Sequence, residues 1–135
     1  MKKLFTTTAI IISVIFLLAS CTSTVETQLT FKNIASNKVI INFRAQEIAV
    51  KSGETVILKD IPKGKFDYST TYEIPPTATS STSDGAVSGD LEFRAGDKYL
   101  IVYSSTFINS IYTLYATISS SRDQNSTGDG NPLGP

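Results

Sequence analysis

Apolar residues recur at every second position along most of this chain, and that period commits it to strands whose two faces meet different surroundings. Val25, Thr27, Leu29 and Phe31 fall on one face, with Glu26, Gln28, Thr30 and Lys32 on the other. Val39, Ile41 and Phe43 alternate with Lys38, Asn42 and Arg44. Phe66, Tyr68, Thr70 and Tyr72 form another row, and Val87, Gly89, Leu91 and Phe93 a fourth. Residues 25–118 contain no stripe at helical spacing, so the chain must bury its apolar surface between sheets.

Two segments, residues 99–103 and 111–118, are apolar on both faces and read as central strands with neighbours on each side. Residues 104–110 between them read as a turn or loop. Ile48 to Val50 and Glu54 to Lys59 add a short and a fuller strand around Ser52-Gly53. Ile61-Pro62-Lys63-Gly64 and Ala95-Gly96-Asp97 read as hairpin turns, since Pro fixes φ and Gly accepts the position that follows. Residues 74–86 are small and polar behind two prolines and read as a long slack loop. The fold class expected is therefore all-β: a seven- to eight-stranded antiparallel β-sandwich over residues 25–118, with a small closed barrel as the alternative.

The two ends have a different composition. Met1-Lys2-Lys3 is followed by an apolar run over residues 9–18, broken only by Ser13, and then by Ala19-Ser20-Cys21. A positive start, an apolar core and a small-residue exit describe a signal peptide, residues 1–20, in helical form. The run is shorter than the roughly 20 residues a transmembrane helix requires. Residues 21–24 are then a short polar tether. Residues 119–135 are rich in Ser, Asn, Asp, Gly and Pro, with Leu133 their one large apolar residue, and are expected to be disordered.

Leu18-Ala19-Ser20-Cys21 resembles the lipobox of bacterial lipoproteins, with Ser20 where Gly or Ala is more usual. The resemblance covers residues 1–21. It implies cleavage between Ser20 and Cys21 and diacylglycerol on the Cys21 thiol, with an acylated amine. It also implies outer-membrane sorting, because Thr22 follows Cys21 where an inner-membrane protein carries Asp. Two or three acyl chains hold a protein stably on a bilayer, at about 0.8 kcal/mol per buried CH₂. Residues 53–68 also resemble the strand, Pro-x-Gly, aromatic-strand hairpin of bacterial surface β-sandwiches such as prealbumin-like modules, which together with Ig-like ones frame the expected fold.

Composition narrows the chemistry. The chain has no His, no Trp and one Cys. Lys and Arg number 12, as do Asp and Glu; without Lys2 and Lys3 the remainder carries 10 basic against 12 acidic groups. That balance excludes the basic field of a phosphate-backbone binder, so no nucleic-acid partner is expected. A Ser–Lys catalytic pair would have to use Lys59, Lys63 or Lys65, each near a turn. Asp90 and Glu92 lie on one face of one strand, the solvent face. Zinc, copper and iron lack their preferred ligands, and Asp84, Asp90 and the Asp129-Gly130-Asn131 segment lack calcium-loop spacing. No cofactor, metal or catalytic residue is expected.

What remains is binding. Tyr99, Tyr103, Tyr112 and Tyr115 are the candidate surface, as a stacking platform should some of them face outward. The expectation is a non-enzymatic, lipid-anchored binding or scaffolding protein of the bacterial envelope. Its partners would be membrane lipid, through Cys21, and an envelope protein or a glycan. The alternative is a carbohydrate-binding module using outward tyrosines.

Overall fold

The computed structural model describes residues 26–122. The expected leader, Ser20, Cys21, the tether and residues 123–135 lie outside the described residues. The strands are β1 (Gln28–Asn33), β2 (Val39–Phe43), β3 (Gln46–Val50), β4 (Thr55–Lys59), β5 (Gly64–Tyr72), β6 (Ser80–Gly85), β7 (Ser88–Phe93), β8 (Lys98–Ile108) and β9 (Ile111–Ser120). They form a five-stranded sheet ordered β4-β1-β8-β9-β6 and a four-stranded sheet ordered β3-β2-β5-β7. The two sheets pack face to face.

The alternating rows supply the core. Leu29, Phe31, Ile101, Tyr103, Tyr112 and Leu114 of the larger sheet meet Val39, Ile41, Phe43, Tyr68, Leu91 and Phe93 of the smaller, all buried. Aromatic rings fill one end of the sandwich: Phe93 stands 6.3 Å from Phe43, 6.2 Å from Phe66 and 5.1 Å from Tyr99. Edge-to-face and tilted contacts at these distances suit the ring quadrupole. Among the described residues the buried Tyr112 hydroxyl has no hydrogen-bond partner, and other buried polar groups are matched. Asn33 donates from Nδ2 to the Asn37 and Val50 carbonyls at 2.9 Å each and accepts from the Ala35 N–H at 2.9 Å. Thr27 donates to the Ile61 carbonyl at 2.6 Å, closing the start of β1 over the β4–β5 connection.

Several expectations are corrected. The described residues form nine strands, and not all pair antiparallel: β1 runs parallel to β8, and β6 parallel to β9. Residues 104–110 are not a loop, because β8 continues to Ile108 and turns directly into β9 through Asn109 and Ser110. Residues 74–86 are not slack, because they contain β6. The Pro62-containing and Gly96-containing segments are not hairpin turns; each carries the chain from one sheet to the other. Strand β9 runs past Ile118, so Ser119 and Ser120 belong to the sheet. Beyond them, Arg122 reaches the Asp97 carboxylate at 3.2 Å and the Glu92 carbonyl at 2.7 Å.

Candidate functional site

The four tyrosines do not share a surface. Tyr103 and Tyr112 lie on the inner face of the larger sheet and are fully buried, because the register that buries Ile101 and Leu114 carries them inward too. The Tyr103 hydroxyl shares a 2.8 Å hydrogen bond with Thr70 of the opposite sheet, and burial raises its pKa above the ordinary tyrosine value. Tyr112 packs its ring 5.8 Å from Tyr72. Tyr99 is half-buried and donates to the Glu92 carbonyl at 2.7 Å, while Arg122 donates to its hydroxyl. Of the four, Tyr115 alone is exposed, on the outer face of the larger sheet. A platform of stacked tyrosines is therefore replaced by one outward ring.

That outer face is nevertheless unusual for solvated surface. Across it, in register, run Lys59, Gln28 and Lys98, then Ile57, Thr30, Leu100 and Ser119, then Thr55, Lys32, Val102 and Thr117, then Ser104, Tyr115 and Asp84. Thr106, Thr113 and Thr82 follow, and Ile108, Ile111 and Ser80 end it. Ile57, Leu100, Ile108, Ile111 and Tyr115 are all exposed, as is Phe107 at the hairpin tip. Residues 99–121 contain no Asp, Glu, Lys or Arg, so β9 and all of β8 beyond Lys98 carry no charge, while Lys32, Lys59, Lys98 and Asp84 lie elsewhere on the same face. Thr30, Ile57, Leu100 and Ser119 also line an open depression of about 420 Å³. Its chemistry is apolar with hydroxyl and amide groups at hand and Lys98 in its lining, which suits a protein surface or a sugar face.

The opposite sheet's outer face is polar and charged. Asp67 and Asp90 stand directly across from one another on β5 and β7, with Lys65 3.5 Å from Asp90. Their mutual hydrogen bond raises the Asp67 pKa and lowers that of Asp90, so the pair holds a proton on Asp67 more tightly than an isolated carboxylate would. Asp90 and Glu92 are exposed, as expected. Lys59 and Lys65 are exposed and ion-paired with Glu26 and Asp90, and Lys63 is exposed, which leaves all three solvated. Asp84 and Asp90 lie in different sheets. Among the described residues no three Asp or Glu side chains gather in a metal-binding group. A larger depression of about 540 Å³ opens beside Lys63, Lys65, Glu92 and Arg94, where β5 and β7 end.

Sequence reasoning missed the uncharged strand pair on this face because it looked for large side chains at ligand spacing. The signal available was the absence of any charge over residues 99–121. No protein-family model matches the chain, and no curated protein matches it closely enough to be a relative. The geometry of the two faces therefore bears the functional argument.

Proposed function

We propose that this protein is a lipid-anchored component of the bacterial envelope, held on the outer membrane through Cys21, and that it works by binding or scaffolding rather than by catalysis. The observation that carries the anchor is Leu18-Ala19-Ser20-Cys21 behind Met1-Lys2-Lys3 and an apolar run. Few residues separate Cys21 from the start of β1 at Gln28, so an acylated Cys21 would hold the sandwich against the headgroups. Tethering of that kind raises the effective concentration of any partner in the same layer. The surface that supports binding is the outer face of the five-stranded sheet, where β9 and the part of β8 beyond Lys98 expose apolar and hydroxyl side chains without charge. A glycan as partner is supported by Tyr115, the exposed ring at its centre.

Detergent phase partitioning and intact mass of the protein taken from its own cells test the anchor. The protein should enter the detergent phase with a mass raised by acyl chains, and Cys21→Ser should abolish both. An unmodified, water-phase parent protein would refute the anchor. Retention on peptidoglycan or surface glycan, lost in Tyr115→Ala, would move the reading to carbohydrate binding.

A further inference from the structure

Four strands stand at sheet edges, β4 and β6 in one sheet and β3 and β7 in the other. An edge strand presents unpaired backbone N–H and C=O groups, and proteins usually protect it with charge, proline or a bulge. Lys59 marks β4, Glu47 marks β3, and Asp90 and Glu92 mark β7. Strand β6, Ser80-Ser81-Thr82-Ser83-Asp84-Gly85, has every residue exposed and a single charge near its end. It is also firmly seated. The Thr79 N–H donates to the Ser110 carbonyl and the Ala86 N–H to the Ala116 carbonyl, both at 2.8 Å. At Gly85 the backbones approach so closely that a Cβ would lie 2.2 Å from the Ala116 oxygen. A preorganised, unguarded edge is a template for strand addition.

We infer that β6 pairs antiparallel with β6 of a second copy of this chain, about a two-fold axis perpendicular to the sheet. Charge selects this occupant. The axis sets outer residues against outer residues, and a register centred on Thr82 places Asp84 of each copy opposite Ser80 of the other. One Asp84 oxygen already accepts from the Gly85 N–H, and the second is left for that serine hydroxyl. No like charges meet. The same operation on β7 would set the acidic row of Asp90 and Glu92 against its own image. Isologous pairing of this kind closes on itself, so it yields a dimer rather than a fibre. It also joins the two outer faces into one continuous surface, with the uncharged Ile111, Thr113 and Tyr115 flanking the seam on each side. The inference concerns the partner of the binding surface proposed above and does not depend on the anchor at Cys21.

The test is the mass of the full chain in detergent by sedimentation, across a range of concentrations. The parent protein should have twice the chain mass. Ser83→Lys and, separately, Thr82→Pro should halve it while the circular dichroism spectrum is unchanged, whereas Ser88→Lys on the β7 edge should leave the dimer intact. In a Cys21→Ser background, Thr82→Cys lies on the axis and should form an intermolecular disulfide on mild oxidation, and Ala49→Cys on the β3 edge should not. A parent protein that is monomeric at every concentration would overturn the inference. So would a dimer that survives both β6 variants. Because the Cys21→Ser protein can be tested alone, loss of the anchor and loss of the dimer are told apart.

Discussion

Asn33 shows how much of this fold one residue can hold. It is fully buried where β1 ends, and its amide serves Asn37 and Val50 as donor and Ala35 as acceptor. It thereby ties the exit of β1 to β3, a strand of the other sheet. Asn33→Ala strands those partners without water, at about 1–3 kcal/mol for each buried group left unpaired. A loss of roughly 2–4 kcal/mol in urea unfolding is expected, since partial relaxation will recover part of the sum. Asn33→Asp keeps the acceptor but replaces the donor with charge against two carbonyls, and it should be worse than Ala. The Asp67–Asp90 pair works in the opposite direction. Asp67 has a raised pKa, from its hydrogen bond to Asp90, so its stabilising contribution is present at low pH and lost as pH rises through that raised value. Asp90 has a lowered pKa, from the same hydrogen bond, so its contribution is present above the ordinary aspartate range and lost as pH falls. Asp67→Asn keeps a donor toward Asp90 at every pH and removes the second charge. Its melting temperature should match or exceed the parent's at neutral pH, and the difference should shrink on acidification. A variant less stable than the parent at neutral pH would mean that the pair is not repulsive there.

At the scale of elements, the rows of alternating residues were legible and the connections were not. Among the described residues the expected inward rows, such as Val39, Ile41 and Phe43, supply the buried core, because period-two patterning reports the face of a strand directly. Proline and glycine reported a change of direction at Pro62 and Gly96 but not whether the chain stayed in its sheet. The hairpins that do form, β2–β3 and β8–β9, turn through residues with no glycine. Arg44 and Ala45 have φ of 53° and 60°, and Asn109 and Ser110 have 53° and 60°. Positive φ at both central positions matches the twist of a hairpin but is usually given to Gly or Asn; Asn109 meets that rule within the segment read as a turn or loop, whereas Arg44-Ala45 gave no residue-type signal. Strand β6 was hidden for another reason. Its residues carry no apolar period, and the strand owes its place to the backbone of β9. The turns carry a prediction: a Cβ in this region costs about 1–2 kcal/mol per residue. Ala45→Gly and Ser110→Gly should each therefore stabilise the protein by up to about 1 kcal/mol, after the added flexibility of the unfolded chain is subtracted. For a domain of this size that is a rise of roughly 4–8 °C in melting temperature. A fall at either site would show that the turn is held by side-chain contacts; the guanidinium of Arg44, 5.4 Å from the Phe66 ring, is one such contact.

At the scale of the whole molecule, Tyr99 and Tyr103, two of the four tyrosines expected to form a binding platform, instead join the two sheets. Tyr103 reaches Thr70 across the core, and Tyr99 reaches the Glu92 carbonyl on β7. Tyr68 donates to the Ala86 carbonyl, in the connection between β6 and β7, at 2.6 Å. Each is a ring buried in one layer with its hydroxyl satisfied in another element, which is why tyrosine rather than phenylalanine occupies these positions. Their titration should therefore follow the integrity of the sandwich. Burial raises the pKa of Tyr103, opposed in part by its bond to Thr70, and burial raises that of Tyr68. The folded state keeps both protons at a pH where the unfolded chain loses them, so their contribution is intact below the ordinary tyrosine value of about 10 and is lost as pH rises through the folded values. Stability should thus be level with pH up to about 10 and then fall. Tyr68 and Tyr103 should ionise only in the step that abolishes the far-ultraviolet circular dichroism signal, which absorbance at alkaline pH follows in the same titration. In Tyr68→Phe combined with Tyr103→Phe the cooperative step should lose amplitude, and stability should decline less steeply with pH. If that amplitude were unchanged in the double variant, water would have access to both hydroxyls and the two layers would not be joined as described.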